Sequence, residues 1–263
     1  MRRRTLFLLP LAAFAQSPDL APGFHQLYHL HFAEARAIFL NWQRAHPQDP
    51  MGFAAEAAAH LFEEFERHGV LTIEFFLNND LFLEGIQGTA DSVRTQAFER
   101  ANAKARELAT GRDPNALLAL TLAAGMAADH AALITKRHIE SLRQIREAQR
   151  HAQHLLAAAP QVTDGYVALG AANYILASLP AYKRAALWFG GMAGNKQQGM
   201  DQLARAALGG PYLSPYAKTL LALVFMREKR NADARRLMRE LATQFPESPL
   251  FARELRKIEA RGI

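Results

Sequence analysis

The chain has 263 residues, of which half are apolar and 21% are charged, a composition typical of globular proteins. It contains no cysteine, which excludes disulfides and thiolate metal sites, so packing must supply its stability. The formal charge of +6 includes three arginines at the N-terminus, and the rest of the chain carries only about +3. A nucleic-acid partner usually requires a clustered basic stripe, so we expect none here.

The first fifteen residues have the pattern of an export signal. Arg2–Arg4 form a basic stretch, Leu6–Leu11 an apolar core, and Ala13–Ala15 a small-x-small cleavage site. The apolar core is much shorter than the roughly 20 residues that span a bilayer. We predict cleavage near Ala15 and export of residues 16–263, either to the periplasm or out of the cell. The general secretory route and the twin-arginine route both fit the arginine run.

The rest of the sequence predicts an all-α fold built from repeats. Four times, a small residue stands twelve positions before a proline, with apolar residues at helical spacing between them. The four instances are Ala35-Phe39-Trp42-Pro47, Ala148-Ala152-Leu155-Pro160, Gly199-Leu203-Ala206-Pro211 and Ala234-Met238-Leu241-Pro246. The proline ends each helix because it lacks an N–H donor and restricts the residue before it. We predict one helical-repeat domain over 16–263.

The repeats resemble those of a known superfamily. Tyr166, Leu169 and Gly170 match the first-helix signature of the tetratricopeptide repeat, whose unit is two antiparallel helices. Asn173 stands where that signature expects a second aromatic residue. The match is strongest over 137–263. This part of the sequence is similar to a divergent exported bacterial branch of the superfamily, whose function is unknown. The resemblance implies an α-solenoid of stacked helix hairpins.

Two segments depart from the repeat pattern. Residues 71–93 lack a sustained helical period, and we predict irregular structure there. Pro180 interrupts the repeat that begins near Tyr166, and the extra residues after it predict a short inserted helix near 179–193. Trp188 and Phe189 on this insert either pack as a plug against the inner face or form an exposed binding spot.

Histidines and carboxylates fall into two groups that could bind a metal. One group is His25, His29 and His31, and the other is His60, Glu63, Glu64 and His68. The i, i+4 spacing of Glu64 and His68 would let both side chains reach one ion, but ordinary helix-surface pairs have the same spacing. No third ligand can be assigned, and no nucleophile or phosphate-binding motif is present. We predict no metal, no cofactor and no catalytic residues.

Stacked helix hairpins create a curved, extended surface, which suits a peptide or protein segment. If the register holds, six residues project near the concave groove: Leu118, Leu122, Tyr174, Ile175, Tyr216 and Arg227. We therefore predict an exported scaffold that binds another cell-envelope protein. One alternative is a binder of a small ligand or membrane lipid through Trp188 and Phe189. A second is a metal-dependent hydrolase that uses the helix carrying His60 and His68.

Overall fold

The computed structural model describes residues 19–179 and 193–260, and it confirms the predicted all-α fold for this part of the chain. These residues form thirteen α-helices and one short π-helical segment, and they contain no strand. The predicted export signal lies outside the described residues. So do Trp188, Phe189 and most of the predicted inserted helix.

The helices follow one another closely along the chain. Their bounds are α1 Ala21–His29, α2 Phe32–Ala45, α3 Pro50–Arg67, α4 Ile73–Leu77, α5 Asn79–Glu84, α6 Ser92–Leu108, α7 Pro114–Asp129, the π-helical segment His130–Ile134, α8 His138–Ala158, α9 Gly165–Ser178, α10 Lys196–Gly209, α11 Ser214–Arg227, α12 Asn231–Gln244 and α13 Pro249–Ala260. Most long helices pack chiefly against the helices before and after them in the chain.

The repeated pattern before each proline lies on the buried faces of α2, α8, α10 and α12. The buried positions are Ala35, Phe39, Ala148, Ala152, Leu155, Gly199, Leu203, Ala206, Ala234, Met238 and Leu241. Trp42 is half-buried. Each of these four helices ends two residues before its proline, because the residue that precedes a proline is disfavoured in helical conformation.

Helices α7, α9 and α11 differ from their neighbours because apolar residues surround them on nearly every side. They alternate along the chain with α6, α8, α10 and α12, each of which has one polar face. A helix that is apolar all round has no side suited to water and is buried. In this fold one side of α7, α9 and α11 packs against other helices, and another side faces an interior cavity.

The segment 71–93 is more regular than its sequence predicts, because it contains the short helices α4 and α5. Thr72 caps α4 and Asn78 caps α5, each accepting hydrogen bonds from backbone N–H groups of the first turn. Gly85 has a positive φ of 71°, with which the backbone turns after α5. The N–H of Ile86 then donates to the carbonyl of Leu133 at 2.8 Å. Helices this short show no periodicity, so side-chain caps and a tertiary contact define them.

The two ends of the described chain are in contact. The hydroxyl of Tyr28 in α1 donates to the carbonyl of Tyr212, just before α11, at 2.7 Å. The ring of His25 lies 5.0 Å from that of Phe245, which follows α12. Residues such as Tyr28 pack against both buried apolar clusters of the fold. The first helix therefore joins the last part of the array around the interior.

One described helical run, Pro114–Ile134, is long and apolar enough to cross a bilayer by length and composition. Most of it is buried inside the protein, where α7 contacts α3, α6, α8 and α9. A helix in the core of a helical array has the same apolar composition as a membrane-spanning helix, and the burial of this run fits a core helix.

Candidate functional site

The helices surround an apolar cavity of about 520 Å³. This volume lies within the roughly 300–1,000 Å³ of known small-molecule sites, which are mostly apolar with a few well-placed polar groups. The described part of the wall is formed mainly by aliphatic and aromatic side chains from helices between α1 and α13. Its charged or ionisable carboxyl and guanidinium groups are Asp129, Asp164, Arg227 and Glu254.

The structure brings together five of the six residues predicted to line a groove. These five are Leu122, Tyr174, Ile175, Tyr216 and Arg227, and all of them line the cavity. Leu118 is 4% exposed, belongs to the buried apolar cluster and is not part of the wall. All six are buried or half-buried in the described structure. Their role in binding a protein stays a prediction.

Helix α7 contributes a line of cavity residues, of which sequence reasoning assigned only Leu122. Leu122, Gly125 and Asp129 lie three and four residues apart, so they share one face of the helix. A Cβ added to Gly125 would have no heavy atom within 4 Å, which leaves open space beside the backbone at this point. Two signals in the sequence point to this face. A glycine inside a helix costs about 1 kcal/mol relative to alanine, and a lone carboxyl interrupts an apolar run.

Asp129 is half-buried in the cavity wall and has no hydrogen-bond or ion-pair partner within the described residues. Burial raises the pKa of its carboxyl to about 7, because transfer from water penalises the charged form. Tyr216 lines the same cavity. Burial, with the nearby Asp129 and Tyr28, raises the pKa of its phenol well above the usual range, so the hydroxyl stays protonated.

The charged groups elsewhere in the wall are held by the protein. Asp164 accepts a hydrogen bond from the backbone N–H of Leu213 at 2.9 Å. Burial raises the pKa of Asp164 to about 6, although the N–H groups of Leu213 and Tyr212 favour its ionised form. Arg227 donates to the carbonyl of Phe76 at 2.5 Å and thereby connects α11 to α4.

Glu254 in α13 is also engaged. It is 1% exposed and accepts a hydrogen bond from the backbone N–H of Ile73 at 3.0 Å. Its carboxylate forms salt bridges with Arg253 at 3.1 Å and Lys257 at 3.0 Å. These contacts fix α13 against the start of α4, so Glu254 stabilises the fold at the edge of the cavity.

The Glu64–His68 pair connects α3 to the loop before α6. His68 Nε2 lies 2.9 Å from Glu64 Oε1, and His68 Nδ1 lies 2.8 Å from the carbonyl oxygen of Gln87. Arg94 donates to the second oxygen of Glu64 at 2.5 Å, and Glu64 also accepts from the N–H of Asp91. Hydrogen bonds from Asp91, Arg94 and His68 hold the pKa of Glu64 low, against the opposing effect of burial.

The histidines of α1 pack as aromatic rings. His29 lies 4.8 Å from His25 and 5.5 Å from His31, measured between ring centroids, and His25 and His29 both contact Phe245. Burial and the neighbouring His25 lower the pKa of His29, so its neutral form is favoured. Within residues 19–179 and 193–260, no three His, Asp or Glu side chains are arranged to hold a metal ion.

No family model matches the chain, and no curated protein matches it. The resemblance to tetratricopeptide repeats therefore stays a prediction.

Proposed function

We propose that the protein is an exported helical protein that binds an apolar small molecule in its central cavity. The cavity of about 520 Å³, with its aliphatic and aromatic wall, carries this proposal. Protein interiors are normally close-packed, so an apolar space of this size leaves much of its wall without contacts. A ligand that fills it gains about 25 cal/mol for each Å² of apolar surface removed from water.

We also propose that the helices stack as tetratricopeptide-like hairpins. Two observations support this arrangement: the repeated faces before each proline are buried, and helices apolar all round alternate with helices that have a polar face. In such an array the first helix of each hairpin faces inward. If α7, α9 and α11 are the first helices of their hairpins, they form the inner wall, and all three contribute residues to the cavity.

Substitution of Gly125 tests ligand binding directly. Gly125→Phe should fill part of the cavity, because the added Cβ starts in open space beside the wall. We expect the purified protein to be stabilised by dodecan-1-ol, seen as a rise in Tm with ligand concentration. Gly125→Phe should lose this rise and reduce dodecan-1-ol affinity by at least tenfold in calorimetry.

Gly125→Ala is the matched control, since it adds one methyl group and should retain most of the affinity. Circular dichroism shows whether both variants keep their helices. If the wild-type protein shows neither a rise in Tm nor measurable binding, the proposed function is wrong. Equal binding by wild type and Gly125→Phe would place the ligand elsewhere.

The scaffold function predicted from the sequence is the second candidate. One observation favours it: the cavity wall extends over most of the helical array, from Phe24 in α1 to Glu254 in α13. In this candidate function, an extended apolar segment of an envelope protein binds along the cavity wall. Crosslinking in the native envelope would then capture one dominant protein with the wild type and much less of it with Gly125→Phe. Equal capture by both would count against insertion of a segment into the cavity.

We propose a binding role without catalysis. The carboxylates and histidines of α3 that could have served a hydrolase are engaged with the protein itself, as Glu64 and His68 show. Metal content of the purified protein, together with loss of activity upon chelation, would be needed to support a metal-dependent hydrolase instead.

A further inference from the structure

The carboxyl and guanidinium groups of the described cavity wall separate into three with at least one protein contact and one with none, although the second oxygen of Asp164 and the hydroxyl of Ser178 also lack a hydrogen-bond partner. Asp164 is held by a backbone N–H, Glu254 by a backbone N–H and two cations, and Arg227 by a backbone carbonyl. Asp129 has no hydrogen-bond or ion-pair partner within the described residues, and it faces the cavity. A half-buried carboxyl group in an apolar wall without a partner is unusual, because its loss of hydration is not offset. A ligand group is the natural partner for this carboxyl.

Aromatic rings lie in the same part of the wall. Tyr216 and Phe62 both line the cavity and pack edge to face, with ring centroids 5.6 Å apart. Asp129 is near enough to Tyr216 for its charge to raise the pKa of the phenol. Aromatic faces attract cations and do not attract anions. A carboxylate beside such rings therefore favours a positively charged ligand group.

We propose that the cavity binds an amphipathic amine, with the apolar part against the wall and the ammonium group paired with Asp129. This inference rests on the proposed function, and it names the class of ligand. An ammonium group would form a charge-assisted hydrogen bond with the carboxylate, which is about twice as strong as a neutral one. An anionic head group would instead meet a like charge, and an alcohol would gain only a neutral hydrogen bond.

Ionisation of Asp129 and binding of an amine are coupled. Burial raises the pKa of Asp129 to about 7, and a bound cation would lower that pKa by stabilising the carboxylate. The segments packed against α7 are α3, α6, α8, α9 and the π-helical segment that begins with His130, and burial is the cause of the raised pKa. The other titratable or charged groups that line the cavity are Tyr28, Asp164, Tyr174, Tyr216, Arg227 and Glu254. The affinity for an amine relative to that for an alcohol should therefore be large at pH 8, where Asp129 is ionised. It should fall as the pH drops to 5, where the carboxyl is protonated.

Three probes with one alkyl chain and different head groups test the proposal. Calorimetry at pH 8 would measure binding of dodecylamine, dodecan-1-ol and dodecanoic acid to the full protein, with the two ionic probes below their micelle concentrations and the alcohol below its solubility limit. We expect dodecylamine to bind at least tenfold more tightly than dodecan-1-ol, and dodecanoic acid to bind most weakly. Asp129→Asn should abolish the preference for the amine while it leaves the affinity for dodecan-1-ol within about twofold.

Asp201→Asn is the matched control, because Asp201 is an exposed acid on α10 and pairs with Gln197. It should change none of the three affinities. If dodecanoic acid binds best, or if the amine preference survives in Asp129→Asn, the assignment of Asp129 is wrong while the cavity still binds apolar molecules. If no probe binds to the wild type, the proposed function itself fails.

Discussion

Asp129 shows how a single residue can oppose stability where it serves binding. It is the last residue of α7, an otherwise apolar helix, and its carboxyl faces the cavity without a partner among the described residues. Its pKa is raised to about 7 in the folded protein, whereas the unfolded chain has the ordinary value of 3.8. Between these two values the folded state binds more protons than the unfolded state, so stability falls as the pH rises.

We predict that Asp129→Asn removes this dependence. The free energy of unfolding of the variant minus that of the wild type should increase from pH 4 to pH 7 and then level off. Its final size should be on the order of a few kcal/mol, because each pKa unit corresponds to about 1.4 kcal/mol. Urea unfolding of both proteins at a series of pH values measures the difference. A difference that stays constant over this range would show that Asp129 is not raised in pKa. Asp164, whose pKa is also raised, is present in both proteins and cancels.

The contact between α9 and α10 depends on two glycines, one in each helix. A Cβ on Gly170 would lie 2.9 Å from the carbonyl oxygen of Gly199, and a Cβ on Gly199 would lie 2.8 Å from the backbone nitrogen of Tyr174. These atoms belong to helix backbones and cannot move without displacing a whole helix. The close approach brings the side chain of Leu203 into the core, where it is 1% exposed.

We predict that Gly199→Ala destabilises the protein by about 1–3 kcal/mol through overpacking, although alanine has the higher helix propensity. Gly209→Ala is the matched control on α10, since a Cβ there meets nothing within 4 Å. That control should leave the free energy of unfolding unchanged or raise it by up to about 1 kcal/mol. Chemical denaturation of the three proteins compares them. Equal stability of Gly199→Ala and Gly209→Ala would argue against close contact of α9 and α10.

At the scale of the whole molecule, contacts between distant segments close the helical array around its cavity. Glu254 in α13 and Ile73 in α4 are 181 residues apart in the chain and are joined by a hydrogen bond. Arg253 pairs with Glu66 of α3 at 3.2 Å beside this bond. The segment that carries α4 and α5 therefore depends on the last helix for its position.

We predict that Glu254→Ala destabilises the protein by about 3 kcal/mol, because the N–H of Ile73 loses its acceptor in a buried place. Hydrogen exchange of the α4 amides should rise more than that of α7 or α9. Glu259→Ala on the same helix should cost less than about 0.5 kcal/mol, since among the described residues Glu259 forms only an exposed pair with Arg239. Unchanged exchange in α4 would show that α13 does not hold this segment.

The helices and their buried faces could be predicted from the sequence because their signals are local. The spacing of Ala234, Met238 and Leu241 and the proline that follows at position 246 determine a helix, its buried face and its end within thirteen residues. Five of the predicted groove positions, such as Tyr216, line the cavity, but they were assigned from the arrangement that the repeat resemblance implies, and their role as a binding groove stays a prediction. Each lies on the inward face of a helix that is apolar all round.

The cavity, and the isolation of Asp129 within it, were decided only by the tertiary structure. Helical periodicity shows which face of α7 is apolar, but it does not show whether that face meets another helix or an unfilled space. That outcome depends on contacts between residues far apart in the chain, such as Tyr28 with Tyr212 and Ile73 with Glu254. The short helices α4 and α5 were missed for the same reason. The sequence by itself determined the helices and the faces that they bury, whereas long-range packing determined what those faces enclose.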